Sequence, residues 1–126
     1  MMVHADVAAE ARLREVRAIV DAALEGMRRT LADLGLEDEL EPMRIDTARF
    51  SLSPDPADGG ESLTGVWKDG HGHHAGSITV HADTSFYAEF GLAVPHPRRS
   101  GWFIDAATSW GRDGIIKAEL RLLPVL

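Results

Sequence analysis

The chain contains no cysteine. That excludes a disulfide framework and every thiolate metal site, so a zinc ion would have to be held by histidine and carboxylate alone. Long apolar runs are missing as well. No stretch is long enough to span a bilayer, and Met1 to Glu10 carries acids without the apolar centre of a signal peptide, so a cytoplasmic protein without a membrane partner is expected. Basic residues are scarce beside acidic ones, 13 against 20, and the net charge of -7 repels nucleic acid at long range. No nucleic-acid partner is expected. The sequence also lacks a phosphate-cradling glycine-lysine loop, a dinucleotide fingerprint, a nucleophile elbow and a paired-histidine zinc helix, so it points to no cofactor and no catalytic residue.

What is present reads as an ordinary globular domain. A chain of 126 residues, 44% hydrophobic and 26% charged, can bury about two-thirds of its unfolded surface around one core, and no repeat or linker divides residues 1–126. From about Asp6 to Leu34, Leu13, Val16, Val20, Leu24, Met27, Leu31 and Leu34 recur at steps of three and four, the stripe of an amphipathic helix. Gly35 followed by Leu36 writes a Schellman end to it. At about 1.5 Å per residue such a helix is roughly 40 Å long, more than a small domain is expected to cover.

After the acidic connector Glu37 to Glu41, Pro42 opens a sheet. Met43 to Ser53 alternates with a change of parity, which predicts a bulge near Thr47 and Ala48. A proline-glycine loop from Ser53 to Gly60 leads to a strand at Leu63 to Lys68, and a glycine-histidine turn from Asp69 to His74 leads to another at Gly76 to His81. Phe86, Ala88, Phe90 and Leu92 then share one face of a fourth strand, with Tyr87 and Glu89 on the other. Ser100 to Trp110 reads as a short helix, because Phe103, Ala106, Ala107 and Trp110 fall at helical spacing. The alternative is a strand hairpinned to the next across Gly111 to Gly114. Ile116, Ala118, Leu120 and Leu122 alternate with Lys117, Glu119 and Arg121 in the last strand. The predicted fold is α+β: a two-layer sandwich in which a long N-terminal helix and a short second helix cover one face of a mainly antiparallel five-stranded sheet, in the order α-β-β-β-β-α-β.

Four groups of residues invite a functional reading. His96, Arg98, Arg99 and Trp102 form a basic and aromatic loop suited to an anion or peptide, aided by the N-terminus of the predicted second helix. His81, Tyr87 and Glu89 share the polar sheet face and supply types suited to general acid-base work, although cross-strand pairs such as Glu89 with Lys117 or Arg121 solvate such faces ordinarily. His71, His73 and His74 could ligate a metal, but glycine-flanked loop ligands are not pre-organised, so no metal site is assigned. Trp67, Trp102 and Trp110 are expected to pack in the core rather than around a ligand, with Trp102 the one least expected to be fully buried.

In element order and acidity the chain resembles the small acidic dimeric chaperones of bacterial secretion systems, without a shared residue motif and with an extra strand before the second helix. That resemblance implies a binding or protein-interaction module acting on a protein partner or on itself as a homodimer. A long helix against a curved antiparallel sheet is also similar to the nuclear-transport-factor-like fold, which implies the alternative of a small-molecule-binding or enzymatic cone. The apolar inward positions Ile78, Val80, Phe86, Phe90, Ile116, Leu120 and Leu122 weigh against that second expectation.

Overall fold

The computed structural model describes residues 2–55, 59–69 and 71–125. Of the predicted loop Ser53 to Gly60, residues 56–58 therefore lie outside the described residues, as does Gly70 of the second turn. Helix α1 runs Met2–Ala32. Of its predicted stripe, Val16, Val20, Leu24, Met27 and Leu31 are buried and Leu13 and Leu34 half-buried, and Ala23 joins the buried side. The helix ends on a Schellman motif: the Leu36 N–H donates to Leu31 C=O at 2.9 Å and the Gly35 N–H to Ala32 C=O at 3.0 Å, with Gly35 at φ 71°. Leu36 then packs against the core. The buried side of α1 extends from Ala9 to Leu31, so the expected overhang is smaller than the helix length implied.

Two single-turn 3-10 helices, Glu37–Leu40 and Ile45–Thr47, follow. They put Leu40 and Met43 wholly inside. The parity change near Thr47 is the end of the second turn and not a bulge: the Thr47 hydroxyl lies 3.0 Å from Pro42 O and 2.9 Å from Arg44 O, and extended chain starts only at Arg49.

Six strands follow: β1 (Arg49–Pro54), β2 (Glu61–Lys68), β3 (His74–Val80), β4 (Phe86–Pro95), β5 (Trp102–Arg112) and β6 (Ile115–Pro124). They pair antiparallel with their neighbours in sequence order, a meander with β1 and β6 at the edges. The sheet thus has six strands, not five. The predicted second helix is β5, turned into β6 through Asp113 at φ 53° and Gly114 at φ 81°. Helical spacing misled here because β5 is irregular: the register shifts between Ile104 and Ala106, opposite a shift in β4 between Gly91 and Val94. A bulge interrupts the two-residue period, so Ile104 and Ala107, three positions apart, are both buried.

Between α1 and the sheet the core is largely apolar. Trp67 lies in its middle, donating its indole N–H to Arg44 O at 2.7 Å and meeting Phe50 edge-on with ring centroids 6.3 Å apart. The Phe50 ring lies over Gly65, where an added Cβ would stand 2.5 Å from a ring carbon. Toward β5 and β6 the contact is closer and the side chains smaller: a Cβ at Gly26 of α1 would be 3.2 Å from Ser109 Oγ and 3.4 Å from the Ala118 Cβ. The Ser109 hydroxyl is fully buried there and has no hydrogen-bond partner among the described residues. Hydrated in the unfolded chain and unpaired in the folded one, such a group costs about 1–3 kcal/mol. Ser109→Ala is therefore expected to stabilise the protein by about 1 kcal/mol, read as a higher urea midpoint at unchanged slope; a lower midpoint would mean that the hydroxyl is paired.

Candidate functional site

The face of the sheet turned away from α1 is covered by no other described element. Cross-strand register places Tyr87 of β4 opposite Trp110 of β5, which is opposite Lys117 of β6; one rung along come Glu89, Thr108 and Glu119. Arg121 ties the next part together. Its Nη2 donates to Glu89 Oε2 at 3.1 Å and its Nε to Asp105 Oδ2 at 2.8 Å, while the Tyr87 hydroxyl donates to the other Glu89 oxygen at 2.9 Å. Tyr87, Thr108, Trp110, Glu119 and Arg121 line an open hollow of about 390 Å³. A second hollow of about 350 Å³, lined in part by Trp110, Ile115 and Lys117, adjoins it at the β5–β6 turn.

Three groups in this patch, Glu89, Tyr87 and Arg121, are held toward the state they have at neutral pH. The Arg121 guanidinium, and then the Tyr87 hydroxyl, hold the Glu89 carboxyl below its ordinary range. Burial, and then the bond to Glu89, push the Tyr87 phenol up. The two carboxylates raise the Arg121 guanidinium further, Glu89 first. A carboxylate whose two oxygens both accept hydrogen bonds, with its proton affinity lowered, is a poor general base. The arrangement fixes side chains rather than preparing a proton transfer.

His81, grouped with Tyr87 and Glu89 on the basis of parity, belongs to a different cluster. Its Nδ1 lies 2.9 Å from Asp55 Oδ2, which also accepts from Ser62 Oγ at 2.9 Å. An ionised carboxylate only accepts, so toward ionised Asp55 it is Nδ1 that donates. Asp55 and Ser62 are buried and His81 is half-exposed. Although the types are serine, histidine and aspartate, serine and aspartate both approach Nδ1, with Ser62 Oγ at 3.4 Å. A serine nucleophile needs the other nitrogen as its base, with the carboxylate behind the ring. The cluster joins the loop after β1 to the end of β3.

The β4–β5 turn does bring His96, Arg99 and Trp102 together. His96 Nδ1 accepts from the backbone N–H groups of Arg98 at 3.0 Å and Arg99 at 3.1 Å, so its ring shapes the turn. The Arg99 guanidinium stacks 4.7 Å from the centre of the half-buried Trp102 ring. Arg98 is exposed. Since Trp102 begins a strand, no helix N-terminus assists an anion here. At the β2–β3 turn, Asp69 Oδ1 accepts from the N–H groups of His71 at 2.8 Å and His73 at 3.0 Å, which lowers its carboxyl, His73 first. The His71 and His73 rings stand 6.3 Å apart, and among the described residues no three histidine, aspartate or glutamate side chains converge to hold a metal.

Sequence reasoning missed Asp55, Ser62, Asp105 and the position of Trp110. Reading Trp102 to Arg112 as a strand would have set Trp110 and Thr108 beside Tyr87 and Glu89. Nothing in the local sequence links Asp55 to His81 across 26 positions. No family model, curated protein or solved structure matches the chain.

Because Glu89 titrates below the ordinary 4.5 when folded, its contribution to stability is present above that value and is lost as pH falls from there through the folded value. Arg121→Gln is expected to raise the Glu89 titration midpoint, followed by NMR of the side-chain carboxyl, and to flatten this part of the acid limb. The half-exposed pair is screened by solvent, so the loss at neutral pH should be small; an unmoved Glu89 midpoint would contradict the assigned pairing. Zinc titrated into the protein should give no saturable heat that disappears when His71, His73 and His74 are all replaced by alanine.

Proposed function

We propose that the chain is a non-enzymatic protein-interaction module that presents the outer face of β4, β5 and β6 to a protein partner. The observation that carries this reading is the uncovered patch in which Tyr87 and Trp110 stand beside Arg121, itself held by Glu89 and Asp105. Tyrosine, tryptophan and arginine are the residue types that carry most binding energy at protein interfaces, and side chains already fixed by neighbours lose less entropy when a partner arrives. The apolar side chains packed under α1 support this reading over a ligand-holding cone. The protein-interaction reading does not rest on the likeness to secretion chaperones, which the strand at Trp102–Arg112 weakens.

The test is retention of a partner from an extract of the source organism on immobilised protein. A discrete protein should be held by the unsubstituted chain and lost with both Trp110→Ala and Tyr87→Ala, each variant keeping its thermal unfolding transition. Equal retention by all three forms would sink the assignment to this face.

A further inference from the structure

The two edges of the sheet are built differently. β1 is six residues long and ends in Pro54, which cannot donate to a further strand. β6 is ten residues long and has a neighbour on one side only, so alternate N–H and C=O groups point away from the sheet along its length. Exposed apolar side chains gather at this edge. Of the seven large hydrophobic residues exposed among those described, Ile115, Ile116, Leu123 and Val125 lie on or just beyond β6, and Phe103 is the cross-strand neighbour of Leu123. Leu120, which packs against the core, and Leu122 are only half-buried.

We infer that β6 pairs antiparallel with β6 of a second copy of this chain, about a two-fold axis at Ala118, joining two sheets into one. The charges along the strand select both the occupant and the register. On the outer face β6 reads Ile115, Lys117, Glu119, Arg121 and Leu123, with the signs alternating. Two copies centred on an outward residue oppose like charges: an axis at Glu119 sets that carboxylate against its own copy and Lys117 against Arg121. An axis at Ala118 instead sets Lys117 opposite Glu119 of the second copy, twice by symmetry. An axis at Leu120 would pair Glu119 with Arg121, but Arg121 is already bonded to Glu89 and Asp105. Neither Lys117 nor Glu119 enters an ion pair among the described residues.

The other face agrees with this register. A two-fold axis perpendicular to the sheet keeps both helices on the same side, and it sets Ile116 opposite Leu120 of the second copy, where each fills apolar surface that one copy leaves open. Gly114 comes opposite Leu122, beside the groove of about 190 Å³ lined by Ile19, Ala22 and Ile116. This inference rests on the reading of the chain as an interaction module, but it uses the edge and not the outer face.

Sedimentation equilibrium tests it. The unsubstituted chain should show a concentration-dependent dimer, and Lys117→Glu or Glu119→Lys should each weaken dimerisation at least about tenfold, because two attractive cross-strand pairs become repulsive. The double variant restores both pairs and should restore the dimer, while circular dichroism reports that every form is folded. A mass that stays monomeric at all concentrations would overturn the inference, as would single reversals without effect or a double variant that stays weakened. Weakening by Arg121→Glu but not by Lys117→Glu would overturn the register at Ala118. Failure here is separable from failure of the outer-face reading, since a monomer that still retains a partner through Trp110 and Tyr87 leaves that reading standing.

Discussion

One helix has to cover one face of a six-stranded sheet. Strands about 4.8 Å apart make the sheet about 24 Å across from first to last, and the buried part of α1, Ala9 to Leu31, is about 33 Å long, enough to cross it obliquely. The length that looks excessive for a small domain is the length of that crossing. The N-terminal half of α1 borders Leu52 and Glu61 on the β1–β2 side, while Gly26 lies over Ser109 and Ala118 of β5 and β6. Side-chain size follows the same line: Trp67 and Phe50 fill the sheet where there is depth, and Gly26, Ala107, Ser109 and Ala118 meet where the helix comes close. A larger residue at any of these last positions would lift the helix from the strands at one end and uncover the core at the other.

The same constraint explains what is left exposed. With the only long helix among the described residues on one face, the chain must make the other face stable in water through its own side chains. The ion pairs of Arg121 with Glu89 and Asp105 do this across β4, β5 and β6, and the Asp55, Ser62 and His81 cluster does it at the far end. Both clusters contain residue types that also perform catalysis. Their geometry separates the two uses, since Glu89 has both oxygens occupied and Ser62 approaches the same ring nitrogen as Asp55.

Much of this was legible in the sequence, for reasons that differ by element. The apolar stripe of α1 and its glycine end are local signals, and both appear where the pattern placed them. In β4 and β6 strict alternation reports a sheet with one wet face, so the outward positions of Tyr87, Glu89, Lys117, Glu119 and Arg121 could be read directly. Glu89 and Arg121 do pair, at 3.1 Å, but across β5 and not between neighbouring strands, since Glu89 stands opposite Thr108 and Arg121 opposite Ala106. The misreading of Ser100 to Trp110 has a physical origin. A bulge removes the alternation on which strand recognition depends, and in β5 it leaves Ile104, Ala106, Ala107, Thr108 and Ser109 all buried, a run without period two. The first-strand error is of the same kind, because a 3-10 turn shifted the parity of Met43 and Ile45 relative to Phe50 and Leu52.

The edge and the outer face are not independent surfaces. Lys117 stands opposite Trp110 in the register of β5 and β6, and both border the hollow at the β5–β6 turn. A strand added along β6 would sit next to Lys117, engage its ammonium group, and extend the floor on which Trp110 and Tyr87 stand. Two joined sheets would carry two such patches on the same side, with both helices on the opposite side. A partner spanning both patches would then bind more tightly than one patch allows, since the second contact is made within an existing complex. On this reading the bare edge is a means of doubling the outer face, and the alternating charges of β6 set the register in which the doubling occurs.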